Sequence, residues 1–564
     1  MIAEQIKSLI KDALKNLGVE TKEILLEHPV DLTNGDYSTN VAMVYKVDPE
    51  KIKEELEKNL PKEISKIEIK NRFINFYLSP EFFVESLGEI LEKKEKFGES
   101  NFYTGKKIIV EYTDPNPFKE FHIGHLMSNT IGEAISRVIA ASGAEVKRVC
   151  YQGDVGLHVA KAVWAYTYPD FDYGTTSEIG KWGMAYKFGA KAYEQGEQLK
   201  KEIEKINKKI YDKSDEGINK IYDLGKKNSL EYFETIYQRL GTKFDFYFFE
   251  SESGNLGKEI VEKNVGNVFE KSEGAIIFRG EKVDPSLHTR VFINKEGLPT
   301  YEAKELGLAK IKYGQYPYTN SIVITGNEVN DYFRVLLEAM EQVFPDLAEK
   351  TKHISHGMLR LPSGKMSSRT GDVVTAESLL KLISEKVVGK IKETNRGDMG
   401  EGFVNQVAVA ALKYSILKNA IGGDIIYDFD KSISFEGDSG PYLQYSYARA
   451  KSILEKAGRE GVIPHPQTPS PYQGEGAGGE VNYVSCLLYR FPEIVLRSAE
   501  EFEPHHITTY LIDLARAFNA FYGSTKILDK DDPASPYKVA LTEAFSIVIK
   551  NGLQILGIEA PEKM

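Results

Sequence analysis

Residues 106–152 constrain this chain more tightly than any other stretch. KKIIVEYT (106–113) is an apolar, β-branched run that reads as a buried strand. DPNPFKEF follows as a loop with two prolines. A helix comes next, with Ile131, Ile135, Val138 and Ile139 on one face and a stop near Gly143. EVKRVCYQ (145–152) then reads as a second strand. Strand, Pro-rich loop, helix and strand within about 45 residues make a βαβ unit, the half-repeat of a nucleotide-binding parallel sheet. NSIVITG (320–326) restores a buried strand later in the chain.

One such unit cannot account for 564 residues, which at roughly 150 per domain leave room for three or four domains. Residues 1–104 read as a small α+β unit. Its first helix repeats apolar residues at Ile2, Ile6, Ile10, Leu14 and Leu17 and stops at Gly18. Acids between them separate it from a signal peptide. The turn-rich DLTNGDYSTN, a Lys/Glu-rich helix near 49–60 and one alternating strand, IEIKNRFINFYLS, complete the unit. Residues 105–395 hold the parallel sheet, interrupted over about 165–290 by charged, helical sequence that reads as an insertion. From 396 to 564 the periodicity is helical, in AVAALKYSILKNA, QYSYARAKSILEKAG and YLIDLARAFNAFY, and reads as a separate all-α domain. Within it PHPQTPSPYQGEGAGGE (464–480) has no apolar periodicity and reads as a disordered surface excursion.

Charge narrows the function classes. With 72 Lys+Arg against 83 Asp+Glu the net charge is −11. That excludes a polycation coating nucleic acid unselectively, while leaving room for a local basic surface that reads one RNA. The region from 396 onward holds 16 basic and 22 acidic residues, so any RNA surface there must be local. Two distant cysteines, Cys150 and Cys486, build neither a disulfide framework nor a Cys-rich zinc site, and point to a reducing, cytoplasmic setting. No apolar run reaches about 18 residues, so the chain is expected not to cross a membrane.

Two motifs carry chemistry. The Pro-rich loop ends in His122-Ile123-Gly124-His125. Two imidazoles three apart share one face at a helix start, whose free N–H groups favour anions, and Gly124 lets another group approach the backbone. Together they offer positive or hydrogen-bonding groups to an ATP triphosphate. About 240 residues later comes Lys365-Met366-Ser367-Ser368-Arg369, a Gly-flanked loop with a cation and two hydroxyls suited to a leaving pyrophosphate. Alone, either motif also describes an ordinary polar surface; their order and their setting give them weight.

With these motifs the sequence resembles the class I aminoacyl-tRNA synthetases, and within them the arginyl-tRNA synthetases. EYTDPNPFKEFHIGHLMSNTIGEAISRV is similar to that family's extended first signature, and YQGDVGLHVAK to the segment after it. GDYSTNVAM resembles the N-terminal accessory domain, SGPYLQYSYARAKSIL and YLIDLARAFNAFY the anticodon-binding helices, and LQILGIEAPEKM the C-terminal ending. The resemblance implies a multidomain α/β protein with an N-terminal α+β accessory domain, a Rossmann-like catalytic domain and a C-terminal all-α anticodon-binding domain. It implies ATP-dependent attachment of L-arginine to tRNA(Arg) through an arginyl-adenylate, with Mg²⁺ accompanying ATP and no protein metal site. Catalysis would fall to His122, His125 and Lys365, and ATP binding to these with Pro115, Gly124, Met366, Ser367 and Ser368. Arginine would meet Glu111, Asn116, Tyr301, Glu305 and Asn327, and tRNA would meet Asn40, Tyr442, Tyr445, Arg449 and Met564. Many relatives carry Asp at the position of Glu305. A guanidinium wants carboxylates in bidentate geometry, and a site satisfying five donors rejects lysine or citrulline without an editing domain. A monomer without DNA or membrane partners completes the expectation.

The rivals fit less well. The cysteine-specific enzyme of this class holds zinc through cysteines, and the large aliphatic-specific ones carry an editing insertion for which 564 residues leave little space. A non-catalytic RNA-binding relative has no use for Lys365 or paired histidines. A smaller nucleotidyltransferase has none for the helical C-terminal region.

Overall fold

The computed structural model describes residues 1–168, 172–175, 177–360, 375–393, 399–466 and 479–564. The βαβ unit lies at the middle of a five-stranded, all-parallel sheet. Strands Thr351–His356, Asn320–Gly326, Lys107–Glu111, Glu145–Gln152 and Phe246–Phe249 lie side by side in that order. The apolar runs of Lys107–Glu111 and Asn320–Gly326 follow from burial on both faces; Ile109, Val110, Val149 and Ile324 are wholly buried.

The fifth strand corrects one expectation. Residues 165–290 are not simply an insertion, because Phe246–Phe249 pairs with Glu145–Gln152 at the sheet edge. Four aromatic-rich residues behind a long charged helix give too short a pattern to register as a strand. The rest of that range comprises helices Glu178–Gln195, Glu197–Asp212 and Glu216–Leu240, then helix Glu250–Lys263 and a three-stranded antiparallel sheet ending at Thr289–Ile293.

Helix Ile123–Ala141 is buried on nearly every face. One side covers the sheet, and the other meets helices Gly400–Leu417, Phe491–Glu501 and Ser535–Ile555. A single apolar core therefore runs from Ile108 and Val110 of the sheet to Phe545 and Val548 near the C-terminus. The helical region shares its core with the sheet instead of standing apart. Periodicity shows that each helix has a buried face, never what that face covers. Cations tie the seam. Arg137 donates to the carbonyls of Gln554 (3.0 Å) and Gly241 (3.3 Å), and Lys413 to those of Leu240 and Gly557 (both 2.6 Å). Both thus satisfy free carbonyls where two helices end.

At the N-terminus, helix Ile2–Asn16 packs Ile6, Ile10 and Leu14 into a separate small core. IEIKNRFINFYLS is two strands, Ile64–Lys70 and Phe73–Leu78, not one. Asn71 and Arg72 turn between them with φ of 52° and 67°, the left-handed pair that a tight hairpin needs. Alternation continues through such a turn, which hides it. Tyr37–Thr39, inside the turn-rich stretch, adds a third strand. This unit docks on the helical region through Tyr37, whose hydroxyl donates to Glu493 at 2.6 Å. Of the 464–480 segment, residues 467–478 lie outside the described residues. His465 is held by Pro536 (3.2 Å), and a helix already starts at Gly479, so both ends are shorter than expected. No helix among the described residues is long and apolar enough to cross a membrane.

Candidate active site

A cavity of about 760 Å³ opens at the carboxyl ends of Lys107–Glu111 and Asn320–Gly326. The strand order reverses between these two neighbours, the place where parallel sheets take their ligands. The chain turns into the cavity through Thr113 and Asp114, whose φ values of 81° and 43° are costly for residues with a Cβ. Three bonds hold the turn. Thr113 N–H donates to Ser128 (3.0 Å), its hydroxyl accepts from Asn129 (3.0 Å), and the Asp114 carboxylate accepts from the Tyr151 N–H (2.7 Å).

One end of the cavity is acidic. Glu111, 1 % exposed, ends its strand and takes a 2.7 Å bond from Lys312. Asp114 and Glu305 open onto the same space. Burial, then the Glu111 charge, lift Glu305 to about 8, and the same two causes raise Asp114 well above its ordinary range. Helix Tyr301–Gln315 presents Tyr301, Glu305, Leu308 and Lys312 at helical spacing on one side. Tyr332 also faces Glu305. Asn116 lines the wall, and its amide lies where a Cβ on Gly153 would sit 2.2 Å from the oxygen, so glycine is required there.

The other end holds the histidines. His122 caps helix Ile123–Ala141, its Nδ1 accepting from the N–H groups of Gly124 (3.1 Å) and His125 (3.4 Å). His125 Nδ1 accepts from the His122 N–H at 3.4 Å, and the rings stack 3.5 Å apart. With both Nδ1 atoms accepting, the protons sit on Nε2. Burial pushes His122 down to about 4, and His125 falls well below its ordinary value through burial and its neighbours His122 and Lys119. These imidazoles are neutral donors, not the positive groups that the motif also allowed. His158, pushed by burial to about 3, bonds the Gly153 carbonyl at 2.7 Å nearby.

Glu111, Asn116, His122, Gly124, His125, Tyr301 and Glu305 thus line one cavity. Pro115 is buried in the loop behind it, and Asn327 starts the short turn after Gly326 but is not among the lining residues, where Glu328 and Val329 stand instead. Lys365, Met366, Ser367 and Ser368 lie outside the described residues. Away from the cavity, Tyr442, Tyr445 and Arg449 share helix Gly440–Glu460. Arg449 lies over the rings of Tyr445 (4.7 Å) and Tyr522 (5.1 Å), and Asn519 bonds the Tyr442 hydroxyl at 2.9 Å. Met564 packs partly buried against the core that holds Tyr442. Asn40 belongs to the N-terminal unit, its side-chain oxygen buried.

Sequence reading missed Asp114, Glu250, Lys312, Tyr332 and Tyr522. Lys312 left a trace. It follows Leu308 by one turn, and a lysine one turn from a wholly buried apolar residue signals a buried partner. Asp114 and Tyr332 have no such signal, since only the tertiary turn brings them to the cavity.

Three family models match the chain. Residues 4–78 match "Arginyl tRNA synthetase N terminal domain", 86–429 "tRNA synthetases class I (R), catalytic domain", and 443–564 "DALR anticodon binding domain". The arginine–tRNA ligase of Clostridium botulinum (strain Loch Maree / Type A3) is 31% identical over 572 residues, covering 99% of this chain and 100% of that protein. The arginine–tRNA ligase of Clostridium acetobutylicum is 30% identical over 577 residues, covering 100% and 99%. Among solved structures, Thermus thermophilus arginyl-tRNA synthetase superimposes with a TM-score of 0.82 at 25% identity, over the whole of both chains.

Proposed function

The chain belongs to the arginyl-tRNA synthetase family, and on that premise we infer that its cavity takes L-arginine at the acidic end and the ATP triphosphate at the histidine end. The protein is an arginine–tRNA ligase. The arginine carboxylate attacks the α-phosphate of ATP, giving arginyl-adenylate and pyrophosphate. A ribose hydroxyl of the terminal tRNA adenosine then attacks the acyl carbon and AMP leaves. Neither step needs a protein nucleophile; positioning and charge stabilisation suffice.

The proposed roles rest on the cavity geometry for its lining residues and on the family resemblance for Lys365, Met366, Ser367, Ser368 and the tRNA contacts. Glu111 and Glu305, with Asn116 and Tyr301, orient the arginine cationic groups. Asn327 stands at the edge of that subsite. His122 and His125 donate from Nε2 to phosphate oxygens, and Gly124 and Pro115 shape the loop that lets them approach. Lys365, with Met366, Ser367 and Ser368, acts on the leaving pyrophosphate. Mg²⁺ fits as a companion of the nucleotide, supplying charge neutralisation to its phosphates, since the histidine end turns neutral donors to them. Asn40, Tyr442, Tyr445, Arg449 and Met564 meet tRNA, where rings that stack bases flank a guanidinium. We place the protein in the cytoplasm as a monomer; its buried free thiols Cys150 and Cys486 suit a reducing setting.

The observation that carries this reading is the crowding of Glu111, Asp114 and Glu305 around one ammonium, a cluster with fewer cations than carboxyl groups until a ligand brings more. ATP–pyrophosphate exchange with each amino acid, with and without tRNA, tests it. Among the amino acids only arginine should drive exchange, and only with cognate tRNA present, as the family resemblance implies. Exchange driven by a neutral amino acid would refute the assignment.

A further inference from the structure

Lys312 lies behind the acidic end, off the cavity wall. It and Glu111 are almost wholly buried, with side chains 4% and 2% exposed. Its ammonium donates to Glu111 Oε2 at 2.7 Å, with a longer contact to Ser321 at 3.4 Å. From its own helix Glu305 faces it, and from the neighbouring strand side the Tyr318 phenol. Burial alone would depress the ammonium, but Glu111, Tyr318 and Glu305 outweigh that and raise it. Lys312 therefore stays charged in the unliganded pocket.

A charge count gives this lysine a role. Glu250 is matched by Lys304 at 2.5 Å and Glu302 faces Arg290 at 3.8 Å, so both are balanced within the protein. Glu328, the other acid of the cavity wall, faces His356, which leaves Glu111, Asp114 and Glu305, three carboxyl groups against the one ammonium. Fully ionised, they leave the acidic end two negative charges in excess. L-arginine carries two cationic groups, its guanidinium and its α-ammonium. Resting on the arginine-site reading above, we propose that Lys312 is the positioning residue of the arginine pocket. It clamps Glu111 in one orientation and sets the acidic end to the charge of a substrate with two cationic groups.

Removal of the ammonium leaves a third carboxylate without a counter-charge. The cluster must then hold a further proton, and Glu111 is free to turn away from the ligand. Burial and the Glu111 charge raise both Asp114 and Glu305 in the unliganded cluster, so arriving arginine should displace protons from it. Lysine brings the same two charges, and the planar guanidinium fork, not charge, separates it from arginine.

Three variants and one measurement on the unaltered protein test this. Lys312→Met should raise KM for arginine about tenfold or more and leave KM for ATP within about twofold. It should also move the acidic limb of the kcat/KM profile for arginine upward by about one pH unit, because lost positive charge raises the neighbouring carboxyls. Lys312→Arg should recover most of both effects. Titration calorimetry of the unaltered protein with arginine near pH 7, in buffers of different ionisation enthalpy, should show release of at least about half a proton per arginine. That measurement and Lys312→Arg decide the matter should Lys312→Met fail to fold. Unchanged arginine KM in Lys312→Met, equal losses for arginine and ATP, no recovery by arginine, or no proton release overturns the proposal. Glu111→Gln separates the two readings. If it raises the arginine KM while Lys312→Met does not, only the role of Lys312 falls. If neither variant responds, the arginine-site reading falls with it.

Discussion

At one end of the cavity three carboxyl groups crowd around a single ammonium; at the other, two stacked imidazoles carry no charge. On the proposed assignment the acidic end meets a ligand whose cations are permanent, so carboxyl groups raised at rest can give up their protons as the ligand arrives. On the same assignment the histidine end meets phosphates whose charge shifts as pyrophosphate departs. Neutral donors bind ground-state ATP modestly and gain strength as charge develops, which lowers the barrier without trapping the substrate. Groups that can ionise stand where the ligand's charge is fixed, and neutral donors stand where it shifts.

The widest separation between the ends should come from Glu305→Gln. Losing the charge that faces the guanidinium costs about 3 kcal/mol, or roughly 150-fold in kcat/KM for arginine. KM for ATP should stay nearly constant in the same steady-state assay, and a parallel loss for ATP would erase the contrast. Lys365→Ala should show the mirror image. A cation acting on the leaving group works mainly in the transition state, so kcat should fall about 100-fold with arginine binding nearly intact. Loss confined to KM would place this loop in ground-state binding. His122→Ala should follow the same pattern more weakly, at about tenfold, one neutral hydrogen-bond donor being lost.

Stability against pH sharpens the contrast further. Glu305 is raised in the folded state, so its contribution is complete below about pH 4.5 and is lost as pH rises through about 8. His122 is depressed, so its contribution is complete above about 6.5 and is lost as pH falls through about 4. Melting curves of unliganded Glu305→Gln should therefore gain on the unaltered protein as pH climbs from 5 to 8, by a Tm difference on the order of 2 °C. A constant offset would mean that Glu305 does not titrate in that window. The smallest effect should come far from either end. Replacing residues 467–478 by a short Gly/Ser linker should change stability by less than about 1 kcal/mol and leave KM for tRNA unaltered. A raised KM for tRNA at normal thermal stability would make that segment part of the RNA surface.

Local pattern carried the histidine end and not the acidic one. His122, Gly124 and His125 are contiguous, and strand, loop and helix stand in order around them, so chain order alone builds that end. The acidic end draws Glu111 from one strand, Asp114 from a strained turn and Glu305 from a helix about 190 residues away, and no local rule brings these together. Resemblance supplied Glu111 and Glu305; it supplied neither Asp114 nor Lys312. Strands were legible where β-branched residues ran together, as in KKIIVEYT and NSIVITG. They were missed where four aromatic residues did the same task, in Phe246–Phe249, and merged where a two-residue turn kept the alternation going, at Asn71 and Arg72.

The apolar core that joins the sheet to the helical region also sets an order of events during synthesis. Helix Ile123–Ala141 leaves the ribosome long before Phe491–Glu501 and Ser535–Ile555, the helices that cover its outer side. At about 5–20 residues per second, that side waits roughly 20–80 seconds for its cover. Until then the first signature is anchored on an unfinished support, and the nascent chain exposes the surface that holding chaperones bind. Activity should therefore appear only after release of the complete polypeptide. For the same reason a shorter catalytic fragment ending near residue 429 should aggregate unless the missing helices are supplied in trans.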